Sequence, residues 1–516
     1  MNGAQAMAHT LSDAGVDVWF ANPGTSELHL VAALDGEPRA RGVLCLFEGV
    51  ATGAADGYGR MAPRPAAVLL HLGPGLGNGL ANLHNARRAR TPVVAVVGDH
   101  ATGHQRFDAP LQSDIAAVAG SVSRWVGRPA DAADAGSAAA EAVGAALAGG
   151  VATLIVPADV AWSEGGRVAA PPPLPAPEPA GDDVLEAAAA ALTGGEPCVL
   201  LIGGDATRRA GLEAADRIAT ATGSRALCET FPARLERGAG LPAMGRLLYL
   251  GDMAAAQLEG ARHIILAGAR RPATFFAYPG RTGDLVPDGC RVHDLGGDAA
   301  AALTRLADAV AADVEPTPRP AARPDMPSGT LTAETAAAVV GALLPEGAIV
   351  SDESNTSGLW LADATAGAPP HDWLTLTGGA IGQGMPVAVG AAIACPSRPV
   401  VCLESDGSAM YMPSALWTQA REGLDVTTVV FANGSYAILS MEMTRVGATA
   451  EPPAAGSVAR DMVDLSRPAL DFVALASGMG VPATRARTVE EFAVQFGRAV
   501  TEPGPHLIEA VVPPLG

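Results

Sequence analysis

Short apolar strands alternate with alanine-rich stretches along the chain, and this alternation strongly constrains the fold. Runs such as VDVWFAN (16–22), PVVAVVG (92–98) and VTTVVFAN (426–433) are rich in Val and are separated by segments of helical composition. Strands that are apolar on both faces are typical of parallel sheets, because helices cover such sheets on either side. The pattern therefore predicts an α/β fold built from doubly wound parallel sheets.

The length of the chain and two proline-rich stretches predict three domains. At 516 residues the chain is too long for one hydrophobic core, since a domain takes roughly 150 residues. The stretches AAPPPLPAPEPA (169–180) and EPTPRPAARPDMPSG (315–329) interrupt the alternation. Such segments favour extended, semi-rigid backbone and serve as linkers. We predict a first unit (1–168), a central unit (181–314) and a third unit (330–516).

The composition argues against nucleic acid or a membrane as a partner. The net charge is −20, and no run of Lys and Arg offers phosphates a local basic surface. The first residues, MNGAQAMAHTLSDAGVD, lack a basic segment followed by an apolar one, and no uncharged run is long enough to span a bilayer. The six cysteines are scattered and form no C-x-x-C pair, which is typical of reduced core residues. We expect a cytoplasmic protein.

Polar residues follow two apolar runs of the third unit. The run RPVVCLES leads into the turn DGS (406–408), and VTTVVFAN leads into NGS (433–435), 27 residues further on. Open α/β sheets bind ligands outside the carboxyl ends of their strands, and Mg²⁺ prefers oxygen ligands. Asp406 would supply charge, Asn433 an amide oxygen, and the turn at Ser435 a backbone carbonyl. Taken alone, both segments also fit ordinary loop turns.

The spacing of these turns resembles the metal-diphosphate motif of thiamine-diphosphate enzymes, a G-D-G followed at a similar distance by an Asn. Here Ser405 replaces the first glycine, which removes no ligand. The resemblance implies thiamine diphosphate and Mg²⁺ as cofactors. The implied metal ligands are Asp406, Asn433 and Ser435, and the implied cofactor contacts in this region are Asp406, Gly407, Ser408, Asn433, Ser435 and Tyr436.

A second match to the same family lies in the first unit. Glu48 is followed by ADGYGR (55–60), which resembles the segment whose glutamate contacts the aminopyrimidine ring of the cofactor. A carboxyl group at the end of the apolar run GVLCLFE has its protonated form favoured, so it can hydrogen-bond the ring nitrogen and promote deprotonation of the thiazolium carbon. We assign Glu48 a catalytic role; an exposed glutamate at a strand end is the alternative.

Two more residues of the first unit are assigned by resemblance. The segment NPGTSE (22–27) resembles the first strand-to-helix turn of the family, and Thr25 is placed at the catalytic site. His71 resembles the histidine before the family's glycine-rich loop, although a core histidine also fits. The glycines after His71 do not form G-x-G-x-x-G, and no acidic residue follows at the spacing of a dinucleotide site, so NAD is not expected.

Two segments of the third unit complete the implied cofactor site. Glu353, Asn355 and Thr356 follow the run GAIVSDE where relatives bind the diphosphate, and hydroxyls with backbone N–H groups suit that anion. The segment GGAIGQGMP (378–386) resembles the glycine-rich turn that receives the pyrimidine. Gly379 lies in this turn, and Ile381 takes the place of the apolar residue that bends the cofactor, although a core isoleucine fits as well.

The resemblance covers essentially the whole chain and is strongest for the branch that contains benzoylformate decarboxylase and the large subunit of acetolactate synthase. It implies pyrimidine-binding, central and diphosphate-binding domains in that order, and a lyase that decarboxylates a small 2-oxo acid or joins it to a second carbonyl. Because members of the family place the cofactor between two subunits, a homodimer is the minimum and a homotetramer is expected.

Several alternatives stay open. An acetolactate synthase acting on pyruvate is one, but the segment after Tyr436 lacks the Q-W stretch that those enzymes use for the second 2-oxo acid. A flavin-dependent oxidase and a non-catalytic binding protein of the same fold are two more; we interpret the central unit as structural and do not expect FAD. His100 and His104 fit proton donors at the mouth of the site or ordinary loop histidines.

Overall fold

Six parallel strands form the sheet of the first unit. The structure is a computed structural model that describes residues 1–514 apart from residues 63, 172, 174–178, 278, 281, 450 and 452. The strands are β1 (Val18–Ala21), β2 (Arg41–Leu44), β3 (Ala66–Leu70), β4 (Val93–Asp99), β5 (Trp125–Gly127) and β6 (Val151–Pro157), in the spatial order β2-β1-β3-β4-β6-β5. The helices are α1 (Gly3–Asp13), α2 (Leu28–Leu34), α3 (Glu48–Met61), α4 (Leu72–Ala89), α5 (Ile115–Gly120), α6 (Ala135–Leu147) and α7 (Ala158–Trp162).

The central unit holds a smaller sheet, in the order β10-β8-β7-β11-β12. The strands found between residues 198 and 294 are β7 (Cys198–Ile202), β8 (Arg225–Cys228), β9 (Leu235–Arg237), β10 (Gly245–Arg246), β11 (His263–Ala267) and β12 (Arg291–Asp294). The helices are α8 (Asp182–Thr193), α9 (Arg209–Thr222), α10 (Gly251–Leu258) and α11 (Ala299–Val310). All pairs within this sheet are parallel.

The third unit has a seven-stranded sheet in the order β17-β18-β16-β15-β13-β14-β9. Its own strands are β13 (Ile349–Glu353), β14 (His371–Leu374), β15 (Val400–Ser405), β16 (Val426–Ala432), β17 (Ala483–Ala486) and β18 (His506–Val511). The helices are α12 (Ala333–Leu343), α13 (Leu361–Ala364), α14 (Gly384–Ala394), α15 (Asp406–Ala409), α16 (Ala415–Glu422), α17 (Ala437–Arg445), α18 (Val458–Asp461), α19 (Phe472–Gly478) and α20 (Val489–Ala499).

The architecture confirms the predicted α/β fold with three parallel-sheet units, with one departure at a sheet edge. Strand β9 belongs to the central stretch of the chain but pairs with β14 of the third sheet, and this pair is antiparallel. Its three residues, LER, carry no apolar run that would have indicated a strand. Half of the first proline-rich stretch, residues 172 and 174–178, lies outside the described residues. Within the described residues, no helix is both long and apolar enough to cross a bilayer.

Helices α3 and α14 pack directly on each other and join the first unit to the third. A Cβ atom on Gly390 would lie 1.8 Å from the carbonyl oxygen of Ala54, and one on Gly57 would lie 2.1 Å from that of Val387. The two backbones thus approach more closely than any side chain at these positions would allow. One continuous apolar core contains residues of both units as a result.

A buried ion pair in α3 reaches all three units. The Arg60 guanidinium binds Asp56 through two hydrogen bonds of 2.9 and 2.6 Å, and both side chains are excluded from solvent. Arg60 also donates to the carbonyl oxygens of Thr375 (2.7 Å) and Ala233 (3.3 Å) and to the hydroxyl of Thr377 (3.0 Å). The motif ADGYGR therefore supplies a structural junction as well as a helix.

We expect the close approach of α3 and α14 to be intolerant of a single methyl group. Gly390→Ala should lower the free energy of unfolding by about 1–3 kcal/mol, because the new Cβ overlaps a backbone atom that cannot move alone. Chemical denaturation followed by circular dichroism measures the change. Gly497→Ala is the matched control, since Gly497 lies in α20 and its added Cβ meets only a side-chain carbon at 3.6 Å. The control should be neutral or stabilising by about 0.5–1 kcal/mol, and an equal loss in both variants would contradict the interpretation.

Candidate active site

The carboxyl ends of three adjacent strands of the third sheet carry the residues predicted to bind the cofactor. Strand β15 lies between β13 and β16, and both pairs are parallel. Glu353 ends β13, Ser405 ends β15 and is followed by Asp406, and Asn433 follows β16. The structure therefore brings the two predicted turns and the ESNT segment together at one edge of the sheet.

Asp406 links the two turns. Its carboxylate accepts a hydrogen bond from the backbone N–H of Gly407 (2.8 Å) and, through the other oxygen, from that of Gly434 (2.6 Å). Burial raises the pKa of the Asp406 carboxyl, and the N–H groups of Gly434 and Gly407 partly oppose the rise. A buried carboxylate of this kind has lone pairs that a cation can take up, and the cation would offset the cost of burying the charge.

The second turn presents oxygen atoms beside this carboxylate. The side-chain carbonyl of Asn433 accepts a hydrogen bond from the backbone N–H of Ser435 (2.9 Å), which fixes the turn. The Ser435 hydroxyl donates to the carbonyl of Val463 (3.3 Å), so its own contribution would come from the backbone carbonyl, as the sequence predicts. The ring of Tyr436 packs over Gly407, where a Cβ atom would lie 2.3 Å from it.

Asn355 gathers a cluster of hydroxyl groups. It adopts a left-handed conformation with φ of 50°, and its side-chain amide donates to the Ser405 hydroxyl (2.7 Å) and to the Ser408 hydroxyl (2.9 Å). The two hydroxyls are 2.9 Å apart. Thr356 is buried in the short 3-10 helix that begins at Asn355. Amide and hydroxyl donors at this edge suit the oxygens of an anion such as diphosphate.

Glu353 lies at the predicted place but contacts the protein itself. Its carboxyl group accepts hydrogen bonds from the backbone N–H groups of Gly382 (2.6 Å) and Gly384 (2.5 Å). Burial raises its pKa to about 7, against the opposing bonds from Gly384 and Gly382. Glu353 therefore positions the glycine-rich turn, and a direct contact with an anion is not its role in this geometry.

A second carboxyl group, that of Glu404, lies next to Glu353, because the two residues are partners in the parallel register of the adjacent strands β13 and β15. Glu404 is fully buried, and among the described residues its Oε2 atom has no hydrogen-bond partner. Burial and the adjacent Glu353 together raise the pKa of Glu404 well above its usual range. The raised pKa favours the protonated, neutral form of Glu404, and this form limits negative charge behind the anion-binding edge.

The glycine-rich turn is held by both neighbouring units. Asn85 of α4 donates to the carbonyl of Ala380 (2.8 Å) and accepts from its N–H (3.2 Å). Gly379 has φ of 75°, a conformation that favours glycine, and the ring of Phe275 lies against it. Ile381 is half-buried in this turn. A flat ring that entered here would meet backbone atoms of the turn and the apolar side chain of Ile381.

Glu48 lies at the start of helix α3, whereas the sequence placed it at a strand end. Strand β2 stops at Leu44, four residues earlier. The Glu48 side chain is buried and accepts a hydrogen bond from the side-chain amide of Asn78 (3.0 Å). Glu48 therefore lies in the first turn of α3, where the backbone N–H groups of a helix have no partner within the helix.

His71 is oriented by a carboxyl group that sequence reasoning did not assign. Its Nδ1 atom lies 2.8 Å from a carboxylate oxygen of Glu27 and 3.2 Å from the Ser26 hydroxyl. Glu27 is fully buried and also accepts from the N–H of Gly24 (2.9 Å) and from Ser26 (2.6 Å). Thr25, the residue assigned from the motif, is exposed. The motif NPGTSE indicated this turn, but Ser26 and Glu27, and not Thr25, contact His71.

The two groups of residues remain separate within one chain. Among the described residues, no hydrogen bond joins Glu48 or His71 to the cluster around Asp406. Met412 of the third unit packs on Gly49 and accepts a hydrogen bond from Asn82 at 3.2 Å. We therefore describe the residues around Asp406 and the pair of Glu48 and His71 as two half-sites.

The loop after β4 carries His100 and His104. The rings of His100 and His104 are 5.3 Å apart, and the Nε2 atom of His100 is buried with no hydrogen-bond partner among the described residues. The loop is anchored by buried Asp99, which binds Arg128 (2.6 Å) and Gln105 (2.9 Å). This geometry leaves the two interpretations of these histidines open.

Family models match at both half-sites. Residues 1–119 match the thiamine pyrophosphate enzyme N-terminal binding domain, and residues 355–510 match the C-terminal binding domain of the same family. The chain is 63% identical to IlvX of Mycobacterium tuberculosis, which bears the name of an acetolactate synthase large subunit, over 100% of both chains. It is 29% identical to the benzoylformate decarboxylase of Pseudomonas aeruginosa, over 96% of both chains.

A solved structure shares the fold over nearly its full length. The thiamine diphosphate-dependent 4-hydroxybenzoylformate decarboxylase of Rhodococcus jostii RHA1 superimposes with a TM-score of 0.84, at 24% identity, over 99% of each chain. Its likeness bears on the fold, whereas the family models and the IlvX identity bear on the family. On these grounds the chain belongs to the thiamine pyrophosphate enzyme family.

Proposed function

We propose that the protein is a thiamine-diphosphate- and Mg²⁺-dependent decarboxylase or carboligase of 2-oxo acids, similar in type to benzoylformate decarboxylase. The observation that carries the proposal is the joining of two distant turns by Asp406, whose carboxylate binds the N–H groups of Gly407 and Gly434. This linkage supports Asp406 as a charged oxygen ligand that would act together with the amide oxygen of Asn433. The assigned metal ligands are Asp406, Asn433 and the backbone carbonyl of Ser435.

The residues at this edge fit both cofactors chemically. Carboxylate, amide and carbonyl oxygens are the ligands that Mg²⁺ prefers, with phosphate oxygens and water completing its shell. The donors of Asn355, Ser408 and Thr356 face the same edge and would hold a diphosphate. Gly379 and Ile381 would receive the pyrimidine ring. When bound, thiamine diphosphate would supply a nucleophilic carbon for addition to the substrate carbonyl and a cationic ring able to take up the electron pair released as CO₂ leaves.

The acid–base groups of the first unit supply the proton transfers. Glu48 would hydrogen-bond the aminopyrimidine nitrogen, and the Asn78 contact of 3.0 Å fixes its carboxyl group for this task. His71 would hold or donate a proton near the substrate. Because Glu27 binds its Nδ1 atom at 2.8 Å, Nε2 is the atom left to face the substrate. Thr25, at the rim of the same turn, would contact the substrate carboxylate.

The substrate class rests on the relatives. One is named a benzoylformate decarboxylase and another bears the name of an acetolactate synthase large subunit, and the substrates of both types are 2-oxo acids. The segment after Tyr436, AILSMEMTR, lacks the Q-W stretch expected for acetolactate synthesis. This supports decarboxylation as the main reaction, with acetolactate formation as the alternative.

The assembly follows from the separation of the half-sites. If Glu48 of one subunit meets the third unit of another, a homodimer is the smallest active form, and we propose a homotetramer built from two such dimers. We also propose that residues 1–168, 181–314 and 330–516 are the pyrimidine-binding, central and diphosphate-binding domains, and that the protein works in the cytoplasm.

A panel of 2-oxo acids tests the proposed reaction. With added thiamine diphosphate and Mg²⁺, we expect CO₂ release from benzoylformate or another aromatic 2-oxo acid to exceed that from pyruvate. CO₂ is measured by a coupled assay, and aldehyde and hydroxyketone products are separated by chromatography. Acetolactate as the main product from pyruvate would favour the alternative. No CO₂ and no ligation product from any 2-oxo acid would contradict the proposal.

Asp406→Ala should abolish binding of the cofactor pair. A ligand that binds only the folded state raises the thermal midpoint, so the wild type should gain stability with saturating thiamine diphosphate and Mg²⁺. The variant loses the only charged ligand assigned to the ion and should show no gain, while its fold persists because Asp406 begins the four-residue helix α15 at the end of a strand. Asp363→Ala, an exposed aspartate in α13, is the control and should respond as the wild type does. A full response in Asp406→Ala would overturn the metal assignment.

Glu48→Gln should keep the cofactor-induced rise in thermal midpoint but lower turnover about a hundredfold or more, because loss of a positioned acid–base group commonly costs that much. Turnover is measured with the best substrate of the panel. Glu37→Gln, at a glutamate that pairs with His9 and is not assigned to the site, is the matched control. Near-normal turnover in Glu48→Gln would rule out its assigned role.

A further inference from the structure

The loop assigned to the diphosphate is anchored by a carboxyl group that has no role in the site described above. Asp352 is the residue of β13 directly before Glu353. Successive side chains of a strand leave it on opposite faces of the sheet, and the contacts of these two carboxyl groups differ accordingly. Asp352 binds Ser354 and Trp373, whereas Glu353 binds the glycine-rich turn.

Asp352 binds both hydrogen-bond donors of Ser354. Its Oδ1 atom accepts from the backbone N–H of Ser354 (3.1 Å) and from the Ser354 hydroxyl (2.5 Å). Ser354 is buried and packs against Gly358, where an added Cβ atom would lie 2.1 Å from the hydroxyl oxygen. The side chain and the backbone of Ser354 are therefore both held by one carboxylate oxygen.

The residue after Ser354 needs this support. Asn355 has φ of 50°, a left-handed conformation that is unfavourable for residues other than glycine, although asparagine tolerates it better than most. In this conformation the Asn355 amide donates to the hydroxyls of Ser405 and Ser408, at 2.7 and 2.9 Å. By holding Ser354, Asp352 fixes the backbone that enters Asn355 and so the cluster of donors at the anion-binding edge.

The second oxygen of Asp352 connects the loop to the central unit. Its Oδ2 atom accepts from the indole N–H of Trp373 (3.0 Å), a fully buried residue of β14. The Arg237 guanidinium lies over the Trp373 ring, 5.0 Å from its centroid. Arg237 ends β9, the strand that the central stretch of the chain adds to the third sheet. The short strand β9 therefore supports, through Trp373 and Asp352, the loop that Asn355 belongs to.

We propose that Asp352 is a positioning residue for diphosphate binding, which holds Ser354 and thereby Asn355 in the geometry that an anion requires. The proposal rests on the proposed function, because the anion of this loop is taken to be the diphosphate of the cofactor. A loop that is ordered before the ligand arrives does not lose conformational freedom on binding, which strengthens affinity. Asp352 should therefore affect the affinity for the cofactor much more than the reaction that follows.

Asp352→Asn tests the proposal directly. The amide keeps the shape of the side chain but has one acceptor oxygen, so it can bind Ser354 or Trp373 and not both. We expect the concentration of thiamine diphosphate that gives half-maximal turnover at saturating Mg²⁺ to rise about tenfold, because a hydrogen bond to a charged group is lost. Turnover at saturating cofactor should change less than about threefold, since no reacting group is removed. Asp363→Asn, at an exposed aspartate of α13, is the matched control and should behave as the wild type does.

Inorganic diphosphate with Mg²⁺ gives a readout that does not depend on turnover. The full-length protein is titrated with this pair, and the thermal midpoint is followed. Asp352→Asn should weaken the apparent affinity for inorganic diphosphate by the same factor as that for thiamine diphosphate. A purely structural role would instead lower the midpoint of the ligand-free protein and leave both affinities unchanged, and this result would overturn the proposal.

A double-mutant cycle tests whether Asp352 acts through Ser354. Ser354→Ala removes the hydroxyl donor and should also weaken cofactor binding, whereas the double variant should lose less than the product of the two single effects, because the variants share one contact. Effects that multiply would contradict the positioning role. Wild-type protein that binds neither thiamine diphosphate nor inorganic diphosphate would overturn the cofactor assignment and this proposal with it, whereas failure of the Asp352 variants alone would leave the cofactor assignment intact.

Discussion

The buried pair of Arg60 and Asp56 is the contact on which the arrangement of the three units depends. Its guanidinium group satisfies a carboxylate of its own helix and at the same time binds carbonyls of the central unit and of the third unit. Thr91 adds a hydrogen bond of 2.7 Å to Asp56, so both charges are fully paired away from solvent. Removal of one partner from such a pair leaves an uncompensated buried charge, which costs roughly 3–5 kcal/mol. The glycine-rich turn begins at Gly378, directly after Thr377, and its position relative to α3 is therefore fixed by this junction.

The candidate site contains several buried carboxyl groups, although it is assigned to hold a diphosphate. Asp406, Glu353 and Glu404 lie within one sheet edge, and each has its pKa raised by burial. Three features limit the repulsion between these carboxyl groups and a bound anion. Backbone N–H groups bind Asp406 and Glu353, the raised pKa of Glu404 favours its neutral form, and a divalent cation would complete the balance at Asp406. This edge therefore contains several carboxyl groups but carries less negative charge than their number suggests.

The fold and much of the site could be predicted from the sequence, because both are expressed in local patterns. Long Val-rich runs predicted the central strands, and the polar residues directly after β15 and β16 predicted the Asp406–Asn433 edge. Strand β9 could not be predicted in this way, because its residues carry no apolar run and its pairing is set by contact with β14. Glu27 was missed for a similar reason: its role depends on a histidine 44 residues away, which only the adjacent ends of β1 and β3 bring close. The orientation of Glu353 toward the glycine-rich turn could not be predicted either, because a carboxyl group at a strand end does not indicate which N–H groups it will bind.

Two sheets of this chain present their carboxyl edges with opposite electrostatic character. The edge of the third sheet gathers carboxyl, amide and hydroxyl oxygens, which suits a cation with an anion bound through it. The edge of the central sheet gathers Arg90 and Arg270 around Glu229, whose pKa burial raises to about 7. Thr377 lies close to both edges, because it lines the same cleft as Arg90 and Glu229 and directly precedes the glycine-rich turn. Its hydroxyl accepts a hydrogen bond from Arg60 and donates to the carbonyl of Asn85 at 2.8 Å. Thr377 therefore connects the Arg60 junction to Asn85, which binds Ala380 of the glycine-rich turn.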